Sequence, residues 1–574
     1  MAIACILSIV LSACGSSTTS PAPSASPLAS VGVAISQSPS SAPAPSCPPV
    51  ASASSVPAAT TLWWRDRVFY EIFVRSFADS DGDGIGDLRG LISKLDYLND
   101  GDPATTDDLG VTGLWLMPIA ASPSYHGYDV TNYKAIEADY GTAEDFKALM
   151  AAAHERGIEV VVDLVLNHTS IDHPWFGDSR TPGSAHDDWY VWSDTQPTVS
   201  GSGGSPVWHK DGNRWYYAYF WEGMPDLNLR NPDVTAALDD VARYWLEDLG
   251  VDGFRLDAAR HLIEDGDQLQ NTPETFAWLE GFRSRVRAVK PDAMLVGEVW
   301  DATSTSSKYV RDGALDMAFE FGLASATLTG VRESDPGTIA AIQAEVQAAY
   351  PPGGYATFLT NHDQDRSFDV LARDLPSARQ AATLLLTGSG VPFVYYGEEL
   401  GMRGRKPDER IRTPFAWDGS APGYGFTSGT PWEAMADGVA IANVASQTGD
   451  QASLLSTYRA LIALRAAHPA LRIGAFTAMR ASDRGVYAYL RQDGADTVAV
   501  VMNLGDTEVT GLSLTLAAGE LCGTPAIRVL SGGDTSGSGT TEVPAPTVNA
   551  HGGFDTWAIG TLAPRQTLIL VVGP

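Results

Sequence analysis

An α/β fold is predicted by this sequence: a closed (β/α)8 barrel with an inserted subdomain after its third strand and a C-terminal all-β sandwich domain. Two observations point there. Between residues 61 and 471, eight short runs rich in Val, Ile, Leu and aromatic residues alternate with longer amphipathic stretches. Continuous apolar runs read as strands buried on both faces, as in a parallel sheet, whose strands are joined by helices. Beyond residue 471 the pattern changes to short strands separated by Gly- and Thr-rich turns, which read as a small antiparallel domain.

The elements follow in chain order. Residues 2–13 form an apolar run too short for a conventional membrane-spanning helix. They read as the core of a signal peptide occupying residues 1–13. The run ends in Leu11-Ser12-Ala13-Cys14, which resembles a bacterial lipobox. That resemblance implies cleavage before Cys14 and lipidation of the cysteine. The protein would then be an extracytoplasmic lipoprotein, held at the membrane or cell surface by its lipid anchor alone. An ordinary secretory signal is the alternative. Residues 14–60 are rich in Ser, Ala and Pro and almost uncharged. Such a composition buries too little surface to fold and reads as a tether.

The barrel is expected over residues 61–168 and 233–471. Its strands are expected within VFYEIFVRSF (68–77), VTGLWLMPI (111–119), IEVVVDLVLNH (158–168) and VDGFRLD (251–257), then AMLVGEVW (293–300), LDMAFEF (315–321), YATFLTNHD (355–363) and VPFVYYGEE (391–399). Intervening stretches such as 143–157 carry helical spacing. The third run is followed by residues 169–232, rich in Trp, Tyr, Gly and Asp. A connection of that length is expected to be a subdomain. Residues 472–574 form the C-terminal domain, with strands expected at 485–490 and 497–504.

Composition narrows the partners. The 574 residues are 44% hydrophobic, enough for a large core divided among domains. The formal net charge of -31 repels a phosphate backbone and argues against a nucleic-acid partner. The four cysteines, Cys5, Cys14, Cys47 and Cys522, match no zinc-site spacing. An extracytoplasmic compartment would permit a Cys47–Cys522 disulfide. A monomer is the expected assembly.

In a barrel of this kind, functional groups gather where strands end. The third run ends in Asn167-His168, the fourth carries Arg255 and Asp257, the fifth leads to Glu298, and the seventh ends in Asn361-His362-Asp363. Each alone is compatible with a structural role. Three carboxylates, two histidines and an arginine on one face would be costly without a task. Two carboxylates are what glycoside hydrolysis needs: one attacks or positions water, and the other protonates the leaving oxygen.

These runs resemble glycoside hydrolase family 13, the α-amylase family, over about residues 61–574. DLVLNH (163–168), GFRLDAAR (253–260), GEVW (297–300) and FLTNHD (358–363) are similar to its four main signatures, in the same order. HGYDVTNY (126–133) and GVPFVYYGEE (390–399) match further family positions. The resemblance implies an α-glucan substrate, starch or maltodextrin. It implies Asp257 as nucleophile, Glu298 as acid and base, and Asp363 as the group that binds sugar hydroxyls and stabilises the transition state. Arg255 would hold Asp257 ionised by lowering its pKa, whereas Glu298 needs a raised pKa. His168 and His362 would hydrogen-bond the sugar, Tyr128 would stack on it, and Asp163 would support the His168 loop.

Asp79-Ser80-Asp81-Gly82-Asp83-Gly84-Ile85-Gly86-Asp87 crowds four carboxylates into one turn. They repel one another unless a hard cation neutralises them. The segment resembles the calcium loop of oligo-1,6-glucosidases and their relatives. That likeness implies a structural Ca2+ held by Asp79, Asp81, Asp83, Asp87 and the Ile85 carbonyl. Family resemblance also implies a second calcium near Asn167, bridging barrel and subdomain.

The segment MPDLN (224–228) looks like the intermediate group between oligo-1,6-glucosidases and neopullulanases, which includes lipid-anchored bacterial α-amylases. Exo-acting relatives usually place an Asp where Tyr125 stands, so its absence favours internal cleavage. The expected activity is therefore a retaining, endo-acting α-amylase. The alternatives are a 4-α-glucanotransferase or a neopullulanase or α-glucosidase of the same family.

Overall fold

The computed structural model describes residues 62–531 and 542–573. The signal peptide, the tether, lipidated Cys14 and Cys47 lie outside the described residues. Cys522, among the described residues, is disulfide-bonded; the permitted pairing with Cys47 falls on a residue outside them.

Eight parallel strands close into a barrel in chain order: β1 (Phe69–Ile72), β2 (Gly113–Leu116), β3 (Glu159–Leu164), β4 (Gly253–Leu256), β5 (Met294–Gly297), β6 (Met317–Phe319), β7 (Tyr355–Thr357) and β8 (Val391–Tyr395). Each lies inside one of the eight apolar runs. The period-two alternation of a strand sorts their side chains into two sets. Phe69, Trp115, Val161, Met294, Met317 and Phe393 form one buried cluster inside the ring. Tyr70, Leu114, Val160, Val162, Leu256 and Leu295 belong to the larger cluster beneath the surrounding helices. Phe69 stacks on Phe393 at 4.5 Å between ring centroids. A methyl group on Gly113 would meet the Phe69 ring at 2.5 Å, so glycine is required where β1 and β2 adjoin.

Helices return the chain outside the ring. The helix Ala143–Glu155 starts with a reciprocal capping box between Thr142 and Asp145 and buries Phe146, Leu149, Met150 and Ala153. Pro273–Val289 is capped by the Thr272 side chain and has proline in its first turn.

Between β3 and β4 the chain forms the helix Pro174–Ser179 and a three-stranded antiparallel sheet of Trp192–Ser193, Trp208–Asp211 and Arg214–Tyr217. Tyr216 and Tyr217 are buried. Trp221 is exposed. A β-bridge between His168 and Asp226 ties the end of this excursion to the end of β3.

After the helix Leu454–Ala467, two antiparallel sheets of five and three strands follow. Leu490, Val501, Leu514, Trp557 and Leu570 fill the space between them. Tyr487, Tyr489, Val500 and Met502 face the other way and join the barrel's core. Buried Arg491 donates to the Thr387 carbonyl (2.8 Å) at the end of the helix Leu375–Thr387. A cation there complements the helix dipole and fixes the small domain against the barrel.

Candidate active site

Arg255 and Asp257 are two residues apart, so strand alternation turns both the same way, into the mouth of the barrel. Asp163 of β3 is the register partner of Arg255 in β4. Arg255 is 1% exposed. Its Nη1 donates to Asp163 (2.9 Å) and Asp257 (2.8 Å), and its Nη2 donates to Glu298 (2.6 Å). A single guanidinium thus holds three carboxylates, in the fork geometry that a lysine lacks. Its Cζ lies 5.2 Å from the centre of the Trp115 ring.

Burial dominates the charge states. It pushes the Asp257 carboxyl up to about 6, even though Arg255 pulls the other way. The expectation that Arg255 would leave Asp257 with a lowered pKa is therefore corrected: loss of water outweighs the ion pair. Glu298 is raised as expected, by burial first, with Asp257 and Asp363 adding to it against Arg255. Asp363 behaves oppositely. Burial opposes its ionisation, but His362 and Arg412 outweigh burial and hold it far below the usual carboxylate range. Burial pushes His168 down to about 3, so it is neutral.

Local backbone shapes the site too. Ala258, directly after Asp257, has a φ of 48°. A left-handed conformation costs a residue with a Cβ about 1 kcal/mol or more. It turns the chain so that the Ala258 N–H approaches Glu298 (3.4 Å).

Tyr128 stacks on His362, with ring centroids 5.6 Å apart and planes 15° from parallel. Its hydroxyl lies 3.0 Å from Asp163 and 2.7 Å from His362 Nε2. Asp163 therefore binds Arg255 and Tyr128 and does not brace the His168 loop, which corrects its expected role. His168 Nε2 is buried without a hydrogen-bond partner among the described residues. It lines a cavity of about 280 Å³ together with Tyr128, Asp257, Glu298, Asp363 and Arg412. A second cavity of about 430 Å³ shares Glu298, Asp363, Ala258 and Phe220 and adds Arg260, His261, Trp300 and Lys406. Glu298 stands between the two, where a bond spanning both would lie.

Residues 71–474 match the model of the α-amylase catalytic domain. The chain belongs to the α-amylase family. It is a glycoside hydrolase of family 13. Alpha-amylase 3 of Dictyoglomus thermophilum is 40% identical over 455 residues, covering 78% of this chain and 86% of that one. The trehalose synthase/amylase TreS of Mycobacterium tuberculosis is 35% identical over 515 residues, covering 79% and 84%. The crystal structure of the α-amylase from H. orenii has a TM-score of 0.77 at 42% identity, covering 88% of this chain and 99% of that one.

The glycoside hydrolase's site contains residues that sequence reasoning passed over. Arg412 donates to Asp363 (2.9 Å) and to the His362 carbonyl (2.9 Å). It lies in no strand, so no pattern marked it. Glu71 lies 2.5 Å from His362 Nδ1. A charged residue inside the apolar run FYEIF was the available signal. Phe220 and Trp300, 47% and 44% exposed, carry apolar faces into the second cavity.

The acidic turn gathers Asp79, Asp81 and Asp87, whose oxygens lie within 4.8 Å of one another. These hard oxygen donors suit a hard cation such as calcium. Asp83, also expected as a ligand, is not among the gathered carboxylates. The Asp83 carboxylate accepts from the Ile85 N–H (2.8 Å). The Asp79 carboxylate accepts from the N–H groups of Asp81, Gly82 and Gly84 and from Thr427, which arranges the loop around it. Asn167 donates to buried Asp226 (2.9 Å), while its own Oδ1 is buried without a partner among the described residues. Burial holds the Asp226 carboxyl well above its ordinary value. An unpartnered amide oxygen beside a buried carboxyl fits a cation joining β3 to the subdomain.

Proposed function

We propose that the enzyme is a retaining, endo-acting α-amylase that hydrolyses α-1,4-glucosidic bonds of starch and maltodextrins. The observation that carries this is the pairing of Asp257 and Glu298 on the two ends of one buried guanidinium, at the boundary between two cavities. Asp257 attacks the anomeric carbon as Glu298 gives its proton to the departing glycosidic oxygen. Glu298 then takes a proton from water, which attacks the same carbon and frees Asp257. Ionised Asp363 stabilises the positive charge that develops on the sugar. Neutral His168, with its unpartnered Nε2, binds a sugar hydroxyl.

Internal cleavage is supported at Tyr125. It stacks on Trp432 at 5.4 Å and puts no carboxylate at the position that reads a chain end in exo-acting relatives. The mycobacterial relative's name joins amylase to trehalose synthase. With the exposed rings of Phe220 and Trp300, this favours transfer to a sugar as the second reading. We also assign a structural calcium to the Asp79 loop and a second cation to Asn167 and Asp226. A lipid on Cys14 would place the enzyme outside the cytoplasm at the membrane.

The test follows reducing ends and iodine colour as protein lacking residues 1–60 acts on soluble starch, beside Asp257→Asn. Fast colour loss with few new ends, absent in the variant, is the expected result. Abundant glucose with slow colour loss would overturn endo action. Colour loss without net new ends would make the enzyme a transferase.

A further inference from the structure

Glu71 stands within β1 and is 2% exposed. A buried carboxylate on an apolar strand is costly unless a partner offsets it. Its partner is His362, whose Nδ1 lies 2.5 Å away and whose ring is wholly buried. Nε2 of the same ring lies 2.7 Å from the Tyr128 hydroxyl and 3.2 Å from Asp363 Oδ2.

Counting protons decides the state of this ring. Asp163 accepts from Arg255, and the one hydrogen of the Tyr128 hydroxyl is assigned to Asp163 (3.0 Å), a carboxylate that only accepts, rather than to His362 Nε2 (2.7 Å). Its oxygen therefore turns a lone pair to His362. The Asp363 carboxylate, held by Arg412, turns a lone pair to the same Nε2. A bare Nε2 would face two lone pairs, whereas a protonated one donates to the Tyr128 oxygen and is the ion-pair partner of Asp363. Nδ1 needs its own proton to reach the Glu71 carboxylate.

We propose that Glu71 is a positioning residue of the active site, whose buried carboxylate holds His362 as an imidazolium and aims its Nε2–H at the Tyr128 oxygen, beside Asp363. Glu71 itself has no contact with the substrate cavity and acts through the ring. A connected series of hydrogen bonds then runs from Glu71 through His362, Tyr128, Asp163 and Arg255 to Asp257, with His362 and Arg255 donating on both sides and Asp163 accepting from both.

The surroundings of the ring agree. Glu71 faces it from β1, and Asp363 from its own loop. Tyr128 lies on the loop beyond β2. Asp163 and Glu298 act at longer range from β3 and the end of β5. Trp115 presents an edge-on contact, and Arg412 holds the backbone carbonyl of His362. Burial opposes a charge here, but Asp363 and Glu71 outweigh it and push the imidazole up to about 9.

This inference rests on the reading of His362 and Asp363 as sugar-site groups. It is tested without turnover, by 15N NMR of the histidine-labelled enzyme, with His362→Asn identifying the resonances. Wild type is expected to show both His362 ring nitrogens protonated at pH 7.5. Glu71→Gln is expected to lower the His362 titration by more than one pH unit. It should also lower kcat/KM at pH 8 by tenfold or more relative to wild type, with the deficit shrinking as pH falls. A neutral His362 in wild type at pH 7.5 would overturn the proposal, even where Glu71→Gln fails to fold. So would an unchanged titration in a folded Glu71→Gln. Failure of the endo-amylase reading leaves the ring's protonation untouched, so the two failures are told apart.

Discussion

Arg255→Met removes the cation that touches Asp163, Asp257 and Glu298 at once. Methionine replaces part of the apolar stem and supplies none of the five N–H donors. Breaking one buried ion pair by removing a partner costs about 3–5 kcal/mol. The carboxyls limit that cost by taking up protons. Asp257 stands at about 6 while Arg255 is still pulling it down, so the variant's nucleophile titrates higher still. Each unit of that displacement removes about tenfold of the ionised nucleophile at a pH below its pKa. Lost orientation adds to this, and kcat/KM at pH 6 is expected to fall on the order of 10³-fold. The deficit should narrow as pH rises. Stability carries its own sign. A carboxyl whose native pKa is raised binds its proton more tightly when folded. Its favourable contribution is present below the unfolded value, about 4, and is lost as pH rises through the native value. Arg255→Met extends that window upward, so its Tm deficit should deepen between pH 6 and 8. The assays are pH–rate profiles on an aryl maltooligosaccharide and calorimetry at each pH. A kcat/KM within tenfold of wild type at pH 6, or a Tm deficit independent of pH, would refute the reasoning.

Two other outcomes are expected. In wild type, kcat/KM should rise through an apparent pKa near 6 as Asp257 ionises and fall again as Glu298 loses its proton above the ordinary glutamate value. The pair titrates as a unit, and an acid limb below pH 4.5 would contradict this account. Chelation with EGTA should lower Tm and added calcium should restore it. Asp81→Asn, at an exposed position of the acidic turn, should weaken that response. A Tm indifferent to EGTA would remove calcium from the structural account.

The barrel was legible because its cause is local. A strand buried on both faces is apolar over most of its length, and VVV (160–162) or LVG (295–297) declares that within a few residues. Asp257, Glu298 and Asp363 were legible for a related reason. Each is a charge placed where an apolar run stops, and strand ends are where a parallel barrel exposes its chemistry. Asp163 was found but misread, since its partner Arg255 is 92 residues away. Glu71 and His362 are separated by 291 residues and meet only because β1 closes the ring against β8. Arg412 lies outside every strand, and nothing in its neighbourhood announces Asp363.

What the sequence by itself determined is the order of strands and helices, and which ionisable side chains stand at the mouth of the ring. Both follow from short-range backbone geometry: the alternation of a strand and the spacing of a helix. Only the tertiary structure decided their partners and their charge. Asp257 is pushed up although it touches an arginine, while Asp363 is held down although it is buried. The difference is set by how much water ring closure removes from each carboxyl and how many cations it brings into reach. The burial comes from closing strands distant in sequence into one ring, and Arg412 reaches Asp363 from 49 residues away, so no local pattern encodes the balance.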